Sequence, residues 1–343
     1  MTVKKIIAAA LLLGLVLFLI PMGIRQDRLL ERGFPFGEEE SLPLPDSGRS
    51  LAVLLPDGTV EDMDLNQYLW GVVAAEMPAS FETEALRAQA VAARTFSLKK
   101  ASVPSSSHPQ ADICTDYACC QAWISRTQAE SNWGADAPVY ANRITAAVAD
   151  TGNQVILYDG QLIEAVFHSS SGDATQDAME VWGGSVPYLK SVSSPEGAEV
   201  PDYNSQKTMT VQAFRETFLA ARPEADLSGD PVDWIADLVY NDGGSVRSLV
   251  IGGVQVSGTQ TRSIFGLRSA CFSVEIQGDA VTFFVTGFGH GVGMSQYGAN
   301  TMAKAGKSYP EILQHYYTDV TVEECPADLW NLGKADAPAE EGT

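Results

Sequence analysis

The sequence is short of positive charge, of cysteine and of any phosphate-loop or serine-nucleophile motif. Its 343 residues carry 22 Lys and Arg against 43 Asp and Glu, a formal net charge of −21. No basic stripe exists that would release counterions from a phosphate backbone, which argues against nucleic acid as a partner. Five cysteines are too few to staple a chain of this length into a disulfide scaffold. The glycine-rich segment Gly289–Gly298 lacks the lysine of a phosphate-binding loop, and the serine-rich segment Phe167–Gly172 carries neither a G-x-S-x-G elbow nor an S-x-x-K pair. There is no internal repeat, and the composition fits neither collagen, coiled coil nor a disordered chain. What remains is an acidic globular protein with material for one large or two ordinary domains.

One apolar run stands out. Ile6 to Ile24 is nineteen uncharged residues behind Lys4 and Lys5. That length crosses a bilayer core as a helix, and the positive flank keeps the N-terminus in the cytoplasm while the rest is exported. A cleaved signal peptide competes, but Pro21, Met22 and Gly23 stand where a small-x-small site belongs. The expected organisation is a single-pass anchor in the cell membrane over residues 1–25 and a polar linker over 26–49. An extracytoplasmic domain follows over 50–325, then a disordered tail over 326–343.

Within the domain, Leu51–Leu55 reads as a strand ended by Pro56-Asp57-Gly58. A helical pattern follows from Leu65 to Glu76, stopped by Pro78, and a second helix covers Glu84–Lys100 with Ser80 as its N-cap. Five alanines in that second helix predict close packing of the pair. Residues 102–126 form an irregular insert. Helix then runs through Ile144–Thr151 into a hairpin, Gln154–Tyr158 and Leu162–His168, and Pro195–Ser205 reads as a polar loop. Beyond it lie a helix at Val211–Ala221, four short strands between Asp237 and Val285, and helices near Ser295–Ala305 and Pro310–Tyr317. Strands and helices mix without a regular βαβ period, so the fold class is α+β, a mixed two-lobed domain after the N-terminal span.

Glu76 is the only charged residue between Leu69 and Ser80. Apolar surroundings and the negative end of a helix both disfavour its carboxylate. A carboxyl kept protonated near neutral pH is what a general acid needs. The plainer reading pairs it with a base on the next helix, Arg87 or Arg94.

The segment Tyr68–Phe96, YLWGVVAAEMPASFETEALRAQAVAARTF, closely resembles the helix pair of the stage II sporulation protein D family. The resemblance continues through Phe167–Gly184, Val256–Glu275 and Gly287–Tyr317, and covers most of Leu51–Glu323. It implies a membrane-anchored peptidoglycan lytic transglycosylase, related to amidase enhancers and acting on the wall during engulfment of the forespore. Such an enzyme cuts glycan strands between N-acetylmuramic acid and N-acetylglucosamine, with 1,6-anhydro ring formation and one acid that serves twice. The family's catalytic acid maps onto Glu76. The resemblance also implies denuded glycan as substrate, Arg87 and Arg94 as cations that could meet its lactyl carboxylates, and a cell-wall amidase as partner. The alternative is a non-catalytic enhancer of that amidase.

His108, Cys114, Cys119 and Cys120 bring four soft or borderline ligands into thirteen residues, a set that suits structural zinc. Some family members hold zinc here with two His and two Cys, and Cys119 stands where the second His is expected. A disulfide among the three Cys is the rival reading. No catalytic cofactor is expected. His168, Ser170 and Ser171 end a strand in a polar turn and read as hydrogen-bonding groups for sugar hydroxyls, with a His/Ser hydrolase as the sharper alternative. His290, Gln296 and Tyr297 read as a groove wall, where closely spaced glycines admit either a neighbouring strand or the glycan. Trp182 and Tyr188 are candidates for stacking on sugars or for the core.

Overall fold

The computed structural model describes residues 42–196 and 200–330. The expected anchor and most of the linker lie outside the described residues. The tail begins later than expected, because Ala327–Trp330 is a short helix with Leu329 in the core. Its last carbonyl accepts from the buried Arg49 guanidinium. Among the described residues no helix is long and apolar enough to cross a membrane.

The fold is α+β, built around two hydrophobic cores. In the first, β1 (Ser50–Leu54) pairs antiparallel with β2 (Val60–Asp64) across the Pro56-Asp57-Gly58 turn. Asp64 caps α1 (Leu65–Glu76) by accepting the N–H groups of Asn66 and Gln67. The next helix, α2 (Thr83–Ala101), starts at Glu82 and not at the expected cap Ser80. A turn closed by Phe81 N–H on Pro78 C=O uses up residues 78–81 and delays the helix. Ala85, Ala88, Ala90, Ala92 and Ala93 are all buried, so α2 is covered on most sides and its small side chains let neighbours approach.

The insert contributes β3 (Ile113–Cys114), which joins β1 in parallel register, Leu54 opposite Cys114. Two helices follow, α3 (Arg126–Trp133) and α4 (Ala137–Asp150), then β4 (Gln154–Tyr158) and β5 (Gln161–Leu162). The expected second hairpin strand stops at Leu162 and resumes as β6 (Phe167–His168). A short helix α5 (Ala178–Trp182) leads away from this core.

Residues 204–286 build the second core. β7 (Asn204–Thr210) begins in the last two residues of the expected polar loop and continues through residues for which the sequence pattern predicts no element, pairing with β12 (Ala280–Thr286), which also carries β11 (Phe272–Gln277). Around it lie α6 (Val211–Ala221), the sheet of β8 (Ile235–Tyr240), β9 (Val246–Ile251) and β10 (Val254–Ser257), and α7 (Gly258–Phe265). Phe214, Phe218, Phe265 and Phe283 stack at its centre. Two contacts tie the cores together: Arg247 grips Glu180 with two hydrogen bonds, and buried Gln176 bridges Gly243 and Ser245. The chain then returns through β13 (Met294–Ser295), α8 (Gln296–Lys304), α9 (Tyr309–Tyr316) and β14 (Thr321–Glu324) to the first core.

Arg94 shows what the first core demands of α2. Its side chain is fully buried and donates to Gln154 C=O, Val148 C=O and Thr151 Oγ1 at 3.1–3.2 Å. It clasps the end of α4 to the start of β4. Arg94→Met, which keeps the length and removes the donors, is expected to lower unfolding free energy by at least about 2 kcal/mol, since buried acceptors are left without partners. Urea titration with an unchanged m-value checks this; an unchanged midpoint would contradict a structural role.

Candidate functional site

Glu76 is the last helical residue of α1, because Pro78 forces Met77 into extended backbone. Its carboxyl opens on a cleft of about 730 Å³ lined by residues of both cores. Neither Arg87 nor Arg94 reaches it. Its partners are neutral: Ala122 N–H donates to Oε1 at 2.9 Å and the Gln296 amide donates to Oε2 at 3.1 Å. Burial raises its pKa above the ordinary value, and the two hydrogen bonds only partly oppose this. Among the described residues lining the cleft, Glu76 is the single carboxylate.

The parallel pairing of β6 with β13 places Ser295 opposite His168 and so brings Gln296 to Glu76. The glycines at 289 and 293 let this pairing approach closely, and Gly289 also lines the cleft. A Cβ on Gly289 would lie 2.7 Å from the His168 Cβ, and one on Gly293 would lie 2.1 Å from the Val166 oxygen. Both also have positive φ.

The two cleft histidines are occupied internally. His290 Nδ1 accepts from Val292 N–H, so Nε2 donates to Phe167 C=O. His168 pairs through Nδ1 with Val292 C=O and through Nε2 with Ser171 Oγ at 2.7 Å. Burial pulls His168 down to about 3 and His290 to about 4. The His168–Ser171 pair has the distance of a base and its nucleophile, yet Ser171 is buried and so weak a base removes no hydroxyl proton at neutral pH. Ser170 is buried too, its backbone bridged to Phe288. His168 and His290 line the cleft, and their ring nitrogens are engaged within the protein.

Two expected substrate cations lie elsewhere. Arg87 pairs with Glu84 and Asp150, while Arg94 is the core clasp described above. Arg262, on α7 of the second core, lines the cleft instead. No local sequence signal singled it out, because its position depends on how the second core packs. Tyr297 packs edge-on against Phe81, and Tyr188 accepts from Glu164 N–H beside Tyr158. Trp182 is half exposed, 5.5 Å from the His290 ring.

The ligand atoms of His108, Cys114, Cys119 and Cys120 all lie within 4.8 Å of one another, and the three thiols are free. His108 Nδ1 meets Ala111 C=O at 3.0 Å, which leaves Nε2 to face Cys120 Sγ at 3.3 Å. Such a backbone contact fixes the tautomer of a metal-binding histidine. The donor set therefore could hold a metal ion. Cys120 stands two residues before Ala122, so the cluster lies next to the residue whose N–H bonds Glu76.

Together these features define an α+β protein that sets one desolvated carboxyl in an open cleft beside a thiol–imidazole cluster. The family model described as stage II sporulation protein matches residues 57–158. The stage II sporulation protein D of Bacillus amyloliquefaciens is 40% identical over 273 residues, covering 79% of this chain and 77% of that protein. That of Bacillus subtilis is 38% identical, covering 79% and 78%. The Bacillus subtilis amidase enhancer is 29% identical over 303 residues, 74% of this chain and 40% of its own length. The chain belongs to the stage II sporulation protein D family.

A carboxyl whose folded pKa is raised stabilises the fold most at low pH, and that contribution is lost as pH rises through the folded value. Glu76→Gln carries no such loss. Its melting temperature relative to the parent is expected to climb from pH 4 upward and then level off above the folded pKa of Glu76. A difference that stays flat across this range would contradict the desolvated carboxyl.

Proposed function

We propose that this protein is a peptidoglycan lytic transglycosylase with Glu76 as its single acid and base. The observation that carries the reading is a lone, desolvated carboxyl in the cleft. A two-carboxylate glycosidase needs a second acid roughly 5–9.5 Å away, and no other carboxylate lines this cleft among the described residues. Protonated Glu76 gives its proton to the leaving glycosidic oxygen as positive charge develops on the sugar. The Ala122 N–H and the Gln296 amide then hold the carboxylate that forms, which takes the proton of the muramyl 6-hydroxyl as that oxygen closes on C1. Proton and bond bookkeeping balance without water.

The relatives named for stage II sporulation support a role in the wall during sporulation. The uncharged run Ile6–Ile24 supports a membrane anchor with the domain outside the cytoplasm. The relative named amidase enhancer favours a second reading, a module that stimulates a cell-wall amidase and cuts nothing itself. Glu76→Gln separates the two. On purified denuded glycan the parent is expected to release products with a 1,6-anhydro end, read by mass spectrometry, and the folded variant none. Anhydro products from the variant, or hydrated ends from the parent, would overturn the assignment.

The metal of the thiol–imidazole cluster is, on this reading, structural zinc, held by His108, Cys114, Cys119 and Cys120. Four protein donors leave no position for a reactive water. Zinc would fix the 108–122 segment, and through it Ala122. About one zinc per chain is expected after gentle purification, and chelation should lower the melting temperature. Less than about half a zinc, with thiols that titrate as a disulfide, would favour the oxidised alternative.

A further inference from the structure

Arg262 is a cation without a counter-charge. It projects from α7, which is fixed to the second core by buried Thr261 and Phe265 and by the capping box of Ser257 and Gln260. Its Nε donates to Leu267 C=O, closing the turn after Gly266. Among the described residues no ion pair engages its terminal nitrogens; Arg143, Lys207 and Arg222 also bond only backbone carbonyls, but of the described Lys and Arg side chains Arg262 alone lines the cleft. This happens in a protein that carries nearly two acids for each base.

The groups around it are neutral or apolar. His168 and His290 sit close enough for the guanidinium to depress their titration further, and both ring systems are fixed uncharged. Glu76, the one acid of the cleft, is itself pushed toward the protonated form. Beside it Phe288 presents an exposed ring backed by the Arg268 guanidinium at 4.3 Å, a surface on which a sugar ring can lie. A half-buried guanidinium left unpaired in such surroundings is costly unless an incoming anion completes it. Its planar fork matches a carboxylate.

We infer that Arg262 is the specificity-determining residue of the cleft and binds the free lactyl carboxylate of N-acetylmuramic acid. The assignment rests on the glycan reading above, since that carboxylate is the only ionised group of a strand stripped of its peptides. It gives the second core a direct role: the first core supplies the acid and the second reads the charge of the substrate. It also replaces Arg87 and Arg94 with a cation that the fold delivers to the site. Because an amide-linked peptide removes the lactyl charge, Arg262 favours stripped strands over peptide-bearing ones.

The test compares the parent, Arg262→Gln and Arg262→Lys on two probes: denuded glycan strands, and the same strands with their carboxylates converted to primary amides. Circular dichroism and melting temperature check folding. On the free acid, Arg262→Gln is expected to lose about tenfold or more in kcat/KM, mainly through KM, the size of losing a charge-assisted hydrogen bond. Arg262→Lys should recover part of this, and on the amidated strands the three proteins should be alike. An equal loss on both probes, or no loss on either, overturns the assignment. Equilibrium binding of both probes to Glu76→Gln, with and without Arg262→Gln, keeps the two readings apart. Charge-selective binding that depends on Arg262, with no cutting by the parent, sinks the lyase and retains the carboxylate site. Binding indifferent to the substrate's charge sinks the site.

Discussion

A carboxyl with no cation beside it is the constraint around which this domain is arranged. Glu76 ends an apolar helix, where both desolvation and the helix dipole act against its charge. A guanidinium at that point would lower its pKa. Two basic side chains on the adjacent helix could have served, and the fold sends both elsewhere, Arg94 into the core and Arg87 to the surface. The carboxyl receives two neutral donors instead. Neutral donors stabilise the carboxylate less than a cation would, and burial keeps the pKa above its ordinary value.

Those donors come from distant parts of the chain, which is why so much of the fold bears on one side chain. The Gln296 amide arrives through the parallel pairing of β13 with β6, and that pairing requires glycine where backbone and His168 would otherwise collide. The Ala122 N–H arrives from the insert. Helix α1 keeps Gly71 where any Cβ would strike the Trp123 ring and the Ile124 carbonyl, so this segment lies hard against the helix that carries Glu76. Each approach is set by the absence of a side chain as much as by the presence of one.

The sequence was informative wherever periodicity or punctuation was local. Glu76 stood out as a charge inside an apolar helix, Pro78 marked its end, and Val211–Ala221 was bounded correctly by its pattern. The four metal-type ligands were legible because they crowd into thirteen residues, although their mutual distance within 4.8 Å was not. Polar strands were missed: β7, with the sequence NSQKTMT, owes its conformation to pairing with β12 and not to its own propensity. His168, Ser171 and His290 were read as ligand groups because they are polar and near glycines. Their nitrogens and hydroxyl are spent on one another and on backbone, which only tertiary structure reveals. Arg262 was invisible for the converse reason, lying on a helix whose packing partner is a separate core.

The insert brings thiol and imidazole groups close to the segment that hydrogen-bonds the Glu76 carboxyl. Between Ala101 and Arg126 its regular structure amounts to a two-residue strand, and its buried side chains, Ala111, Ile113 and Cys114 with His108 and Gln121, form no core of their own. A segment of that kind holds position poorly unless it is cross-linked. Yet the Ala122 N–H meets the Glu76 carboxyl at 2.9 Å, so that contact depends on where this segment is held. Four ligand-type side chains gathered at residues 108–120 would meet that need locally once they hold a metal ion. On the reading proposed above, the cluster would act on Glu76 through geometry, by fixing one backbone N–H, while burial raises the pKa of the carboxyl.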